Sequence, residues 1–84
     1  MNTVAGTKLK ELKQTCFACP SQWEGRTTDG RFVYVRFRHG RLSVGIANTF
    51  FEAIRQEDYV DMHGDHLDGF ITTEEMLDRT GMIL

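Results

Sequence analysis

The 84-residue chain is 40% hydrophobic and 26% charged, with a formal net charge of −2. These proportions belong to a globular domain, not to a disordered or fibrous segment. A chain of this size buries only about 60–65% of its extended surface, so residues 1–84 are expected to form one small α+β domain around a modest core. No apolar run approaches the length of a membrane span, and MNTVAGTKLKELK lacks the apolar stretch of a signal peptide. Two cysteines without an export signal fit a reducing compartment, so a cytoplasmic location is expected.

The charge is unevenly spread. Residues 1–47 carry eight Lys/Arg against three Asp/Glu, whereas residues 48–84 carry two Arg against nine Asp/Glu. Such asymmetry either marks a basic binding face or lets two halves of one domain attract each other. The second reading is preferred, because the chain is too short for two cores.

In chain order, Thr7 to Thr15 reads as a first helix. Thr7 would cap it, Leu9 and Leu12 would share a face, and Pro20 would prevent continuation beyond Cys19. Its Lys8, Lys10 and Lys13 would lie in solvent. The stretch QWEGRT then reads as a strand. A three-residue loop, Thr28-Asp29-Gly30, with glycine left-handed, places Trp23 beside Val35 and Gly25 beside Val33 on the core face. Residues 31–46, RFVYVRFRHGRLSVGI, alternate on both sides of His39-Gly40. A tight hairpin there pairs Phe37 with Leu42, Val35 with Val44 and Val33 with Ile46, all apolar. A slip of one residue would destroy the sorting, so the register is well specified.

After the hairpin, NTFFEAIRQEDYV reads as helical. Thr49 and Glu52 form a capping box, and Phe50, Phe51, Ala53 and Ile54 supply the buried stripe. Gly64 ends the following segment. A last helix runs from Thr73 to about Thr80, capped by left-handed Gly81, with Met82 folding back on Leu77. The expected fold is therefore α+β: a three-stranded antiparallel meander with strands near 22–27, 31–38 and 41–47, and about three helices packed mainly on one face. The expected core is Trp23, Val33, Val35, Phe37, Leu42, Val44, Ile46, Phe51, Ile54, Ile71 and Leu77.

Two stretches resemble metal sites. GDHLDGFITTEE, residues 64–75, imitates the second half of an EF-hand loop, with Gly69 sixth and Glu75 twelfth. Gly64 and His66 then occupy the first and third positions, where carboxylates or amides are needed. The match has a simpler cause. Asp68-Gly69 is a turn, Thr72 caps a helix, Glu75 completes the box, and Ile71 staples to Met76. Cys16 and Cys19 with His63 and His66 form a weak zinc candidate, because the separation between the pairs far exceeds the usual spacing. No catalytic or cofactor-binding motif appears, so neither enzymatic activity nor a cofactor is expected.

The outward face of the predicted sheet carries the candidate binding surface: Arg26, Phe32, Tyr34, Arg36, Arg38 and Arg41. Arginines interleaved with aromatics occur in protein interfaces and in single-strand nucleic-acid binders. Coverage of Phe32 and Tyr34 by a helix or by the acidic C-terminal half is the plainer reading.

The stretch CPSQWEGRTTDGRFVYVRFRHGRLSV, Cys19 to Val44, resembles a set of small uncharacterised bacterial proteins with a CP-x-QWEG opening, a DGR turn and a vyvRyR-x-G-x-Lsv hairpin. HGDHLDGFITTEEM is similar to their usual ending. The resemblance implies a bacterial or phage origin and one small domain. It implies no activity and no functional residues. Cys16 lies outside the matched stretch, which weakens the zinc reading further. The expected function is a non-enzymatic protein-interaction or accessory module, acting on a protein partner or on itself. Nucleic-acid binding through the sheet face is the alternative, and no membrane association is expected.

Overall fold

The central hairpin sets the frame. In the computed structural model, which describes residues 4–17, 21–62 and 70–84, strands β2 (Ser21–Thr27), β3 (Phe32–Arg38) and β4 (Arg41–Ala47) form the expected meander. Val33 pairs with Ile46, Val35 with Val44 and Phe37 with Leu42. Trp23 pairs with Val35 and Gly25 with Val33. His39 and Gly40 both take positive φ, 55° and 73°. This is the twist that a two-residue hairpin needs to match its strands. The preceding loop places Gly30 at φ 91°. The Arg31 N–H donates to Thr27 Oγ1 at 2.9 Å, and the Arg31 side chain pairs with Asp29 at 3.2 Å.

Two further strands correct the expected three-stranded sheet. The sheet has five strands in the order β1-β2-β3-β4-β5, all neighbours antiparallel, and there are two helices among the described residues. The segment read as a first helix is strand β1 (Leu9–Cys16). Leu9 and Leu12 do share a face, but an irregularity in the β1–β2 register achieves it. Leu9 lies opposite Thr27 and Glu11 opposite Arg26, so one extra residue is absorbed and the alternation changes parity. An i, i+3 apolar pair is thus as consistent with a bulged strand as with a helix. Long-range pairing to β2 overrides the helical propensity of Lys, Glu and Leu.

The expected middle helix is also shorter than its sequence suggested. Helix α1 (Phe50–Arg55) is capped by Thr49, whose hydroxyl accepts from the Glu52 N–H at 3.2 Å. It stops at Gln56, which is extended. The Gln56 side chain donates to the Ile46 carbonyl at 3.1 Å, and an Asp58 carboxylate oxygen accepts from the Ile46 N–H at 2.7 Å. These bonds tie the chain back to β4, and it continues as strand β5 (Tyr59–Met62). The last helix, α2 (Thr73–Thr80), has its expected limits, Thr72 at its N-cap and left-handed Gly81 at its C-cap.

The two helices cover opposite faces, which corrects the expectation that helices pack mainly on one. Helix α2 covers the apolar face. Trp23, wholly buried, donates its indole N–H to Thr73 Oγ1 at 2.8 Å. Ile71, Met76 and Met82 join Val33, Val35, Phe37, Leu42, Val44 and Ile46 in the core, with Val4 and Leu9. Each fully buried Val, Leu or Phe there contributes about 1.5–3 kcal/mol relative to exposure. Leu77 is only partly buried against this cluster. Ser21 closes one end: its hydroxyl donates to the Phe17 carbonyl at 2.7 Å and accepts from the Ile71 N–H at 3.2 Å.

Helix α1 lies on the other face, against Gly45. A Cβ at residue 45 would overlap the Ala53 carbonyl oxygen and come within 2.5 Å of the Gln56 carbonyl oxygen. The close seat exists because no side chain stands there. It also rotates α1 so that Ala53 is buried and Phe50 half-buried, while Phe51 and Ile54 remain 76% and 43% exposed. Phe51 and Ile54 are therefore not core residues. Their expected burial assumed a helix facing the apolar core, and α1 faces the polar side of the sheet instead.

Candidate functional site

On the outer face, strand alternation brings Arg26, Phe32, Tyr34, Arg36, Arg38 and Arg41 to one side of the sheet. Helix α1 then divides them. The Phe50 ring stands edge-on to both Phe32 and Tyr34, with centroids 6.4 and 6.1 Å away and interplanar angles of 66° and 81°. Both rings are half-buried. Arg26 is occupied locally: its guanidinium lies 4.4 Å from the centroid of Phe32 and donates to the Gly30 carbonyl at 2.9 Å. A cation–π contact of this kind holds an arginine flat against the sheet. Burial beneath α1 raises the Tyr34 phenol above its ordinary value of 10.0; the Arg36 charge opposes this and the Glu24 charge adds to it.

Beyond Tyr34 the face opens into a groove of about 660 Å³. Its floor is Tyr34, Arg36, Ser43 and Gly45. Ile54, Gln56 and Glu57 form one wall, Met62 stands on the β5 side, and Arg38, His39 and Arg41 close the hairpin end. Arg38 and Arg41 are directly opposed across the strands. Like charges so placed cost a few tenths of a kcal/mol to about 1 kcal/mol. Arg41 pairs with Glu57 at 2.5 Å. Both side chains are over two-fifths exposed, so the bond orients more than it stabilises. Among the described residues, Arg36 and Arg38 have no ion pair. The Arg36 Nε is buried without a hydrogen-bond partner. Met62 is 66% exposed. A second cleft, on the far side of Phe50, mixes Glu11, Lys13, Glu24 and Arg26 around Phe32.

Sequence reasoning placed the six surface residues on the correct face but missed Phe50 as their cover and Ile54, Glu57 and Met62 as groove walls. One signal was present. Gly45, opposite Tyr34, is the bare position on that face, and a glycine within a strand marks close approach of another backbone.

The metal candidates do not assemble among the described residues. Cys16 is half-buried on β1 opposite Gln22, whereas Cys19, His63 and His66 lie outside the described residues. The first half of the EF-hand-like stretch, residues 64–69, also lies outside them. Its described end behaves as helix-start chemistry, with the Glu75 N–H donating to Thr72 Oγ1 at 3.1 Å. No group of three or more His, Cys, Asp or Glu suited to a metal occurs among the described residues, and no helix among them is long and apolar enough to cross a membrane.

No family model, no curated protein and no solved structure matches the chain.

Proposed function

We propose that the protein is a non-enzymatic cytoplasmic interaction module whose contact surface is the outer face of the sheet, at the groove between α1 and β5. The observation that carries this reading is the composition of the groove. Exposed Ile54 and Met62 stand beside Arg36 and Arg38, which lack ion pairs among the described residues. Apolar side chains rimmed by arginines are favoured at protein interfaces. Nucleic-acid binding is the second reading, supported by the Arg36, Arg38 and Arg41 cluster. The exposed acidic residues of α2, Glu74 and Asp78, lie across the sheet from that cluster and do not oppose it. Against it, Phe50 blocks the rings that would stack bases, Arg26 is occupied, and Glu24 and Glu57 share the face.

The test is affinity capture from the source cells with the wild-type chain and with Met62→Ser. A protein retained by the first and lost by the second supports the module. Mobility-shift assays at low salt address the alternative. Salt-sensitive binding of single strands that Arg38→Ala weakens, with no protein captured, would replace the first reading by the second.

A further inference from the structure

Taking that interaction role as its basis, we propose that the groove receives an extended acidic polypeptide segment, with carboxylates at two alternate positions and an apolar side chain two residues further on. Arg38, Arg36 and Tyr34 follow one another at alternate positions of β3 and all face outward. Alternate residues of a strand lie about 6.6–6.8 Å apart. The side chains at i, i+2 and i+4 of an extended peptide share that spacing. A peptide laid along β3 therefore sets its first carboxylate over Arg38 and its second over Arg36. Its apolar side chain then falls at the side of Tyr34 that Phe50 leaves open, beside Ile54 on the wall of the groove.

Charge selects this occupant. Arg38 faces Arg41, and among the described residues no carboxylate pairs with Arg38, while Glu57 engages Arg41 alone among the three arginines of the groove. A carboxylate at Arg38 would relieve the opposed cations, and guanidinium–carboxylate bonds are charge-assisted and often bidentate. The groove's volume of about 660 Å³ lies within the range of ligand sites. A nucleic-acid backbone fits less well, because it would bring phosphates to Glu57 and leave the apolar wall of Ile54 without a partner.

The experiment uses fluorescein-labelled pentapeptides of pattern Asp-x-Asp-x-Leu, followed by anisotropy, with amide chemical shifts mapping the contact. The expected result is saturable binding that shifts amides of β3, β4 and α1. It should weaken about tenfold with Arg38→Ala, and about tenfold again with an Asn-x-Asn-x-Leu peptide. Arg38→Glu should turn the preference toward Lys-x-Asp-x-Leu, because Arg36 still faces the second position. Arg38 is exposed, so thermal unfolding of its variants should match wild type, which separates lost binding from lost folding. Equal affinity for the acidic and amide peptides, or indifference to Arg38→Ala, would overturn the proposal. A partner captured from the source that maps to the groove while the acidic peptide does not bind would sink this inference and leave the interaction module standing. Single-stranded DNA shifting the same amides while every peptide and protein fails would remove both.

Discussion

Replacing Gly45 by alanine tests whether α1 owes its position to a bare strand residue. The new Cβ would collide with the Ala53 carbonyl and lie 2.5 Å from the Gln56 carbonyl, about an ångström inside a comfortable contact. Both obstacles are backbone atoms, so no side-chain rotation relieves them; α1 must lift from the sheet. Overpacking of this kind costs about 1–3 kcal/mol, and removing a strand glycine returns about 0.5–1 kcal/mol. The expected net loss is about 1–2 kcal/mol, or roughly 5–15 °C in Tm for a domain of this size. Urea unfolding followed by the emission of Trp23, the single tryptophan and wholly buried, reports it directly. Ser43→Ala, on the same face and lining the open groove, is the control and should stay within about 0.5 kcal/mol. Because α1 supplies Ile54 to the groove, Gly45→Ala should also move the amide shifts of β3 and β5. An unchanged or higher midpoint with unshifted α1 amides would refute the seating of α1 on Gly45.

Removing the Ser21 hydroxyl, in Ser21→Ala, strands the buried Ile71 N–H and should cost about 1–2 kcal/mol by chemical denaturation. A stability equal to wild type would mean that Ile71 finds another acceptor. Trp23→Phe leaves a void and removes the indole donor from the Thr73 hydroxyl, which keeps only its 3.4 Å bond to Gln14 Oε1, so a loss of about 2 kcal/mol is expected by calorimetry. Hydrogen bonds from the Thr27 hydroxyl and Arg31 hold Asp29 below its ordinary value of 3.8. Its folded pKa is depressed, so its contribution is complete above 3.8 and disappears as pH falls through the folded value. Carboxyl NMR titration should show Thr27→Val raising that pKa back toward 3.8. Burial first, and then the Asp61 charge, raises the Tyr59 phenol above 10.0. Its contribution is present below pH 10.0 and is lost as pH rises through the folded value, so Tyr59→Phe should flatten the alkaline limb of the stability profile.

The register of β2, β3 and β4 was legible because it is a local property. Parity along each strand and the length of each turn decide which side chains share a face, and Val33, Val35 and Phe37 had one consistent arrangement with Leu42, Val44 and Ile46. The ends of α2 were legible for the same reason, since Thr72 and Gly81 act within a single turn. The side of the sheet that carries Arg36, Arg38 and Arg41 followed from that parity too. Partners distant in sequence decided the rest. Leu9 and Leu12 meet the spacing of a helix and of a bulged strand equally, and only the unpaired edge of β2 chooses between them. Gln56 and Asp58 end α1 by bonding to Ile46 ten and twelve residues earlier, and so release Tyr59–Met62 to become β5. Phe50 covers Tyr34, and Ile54 walls the groove, because Gly45 admits a helix backbone on the polar face. A capping box announces where a helix starts, but the face of the sheet it joins is set by where another backbone leaves room.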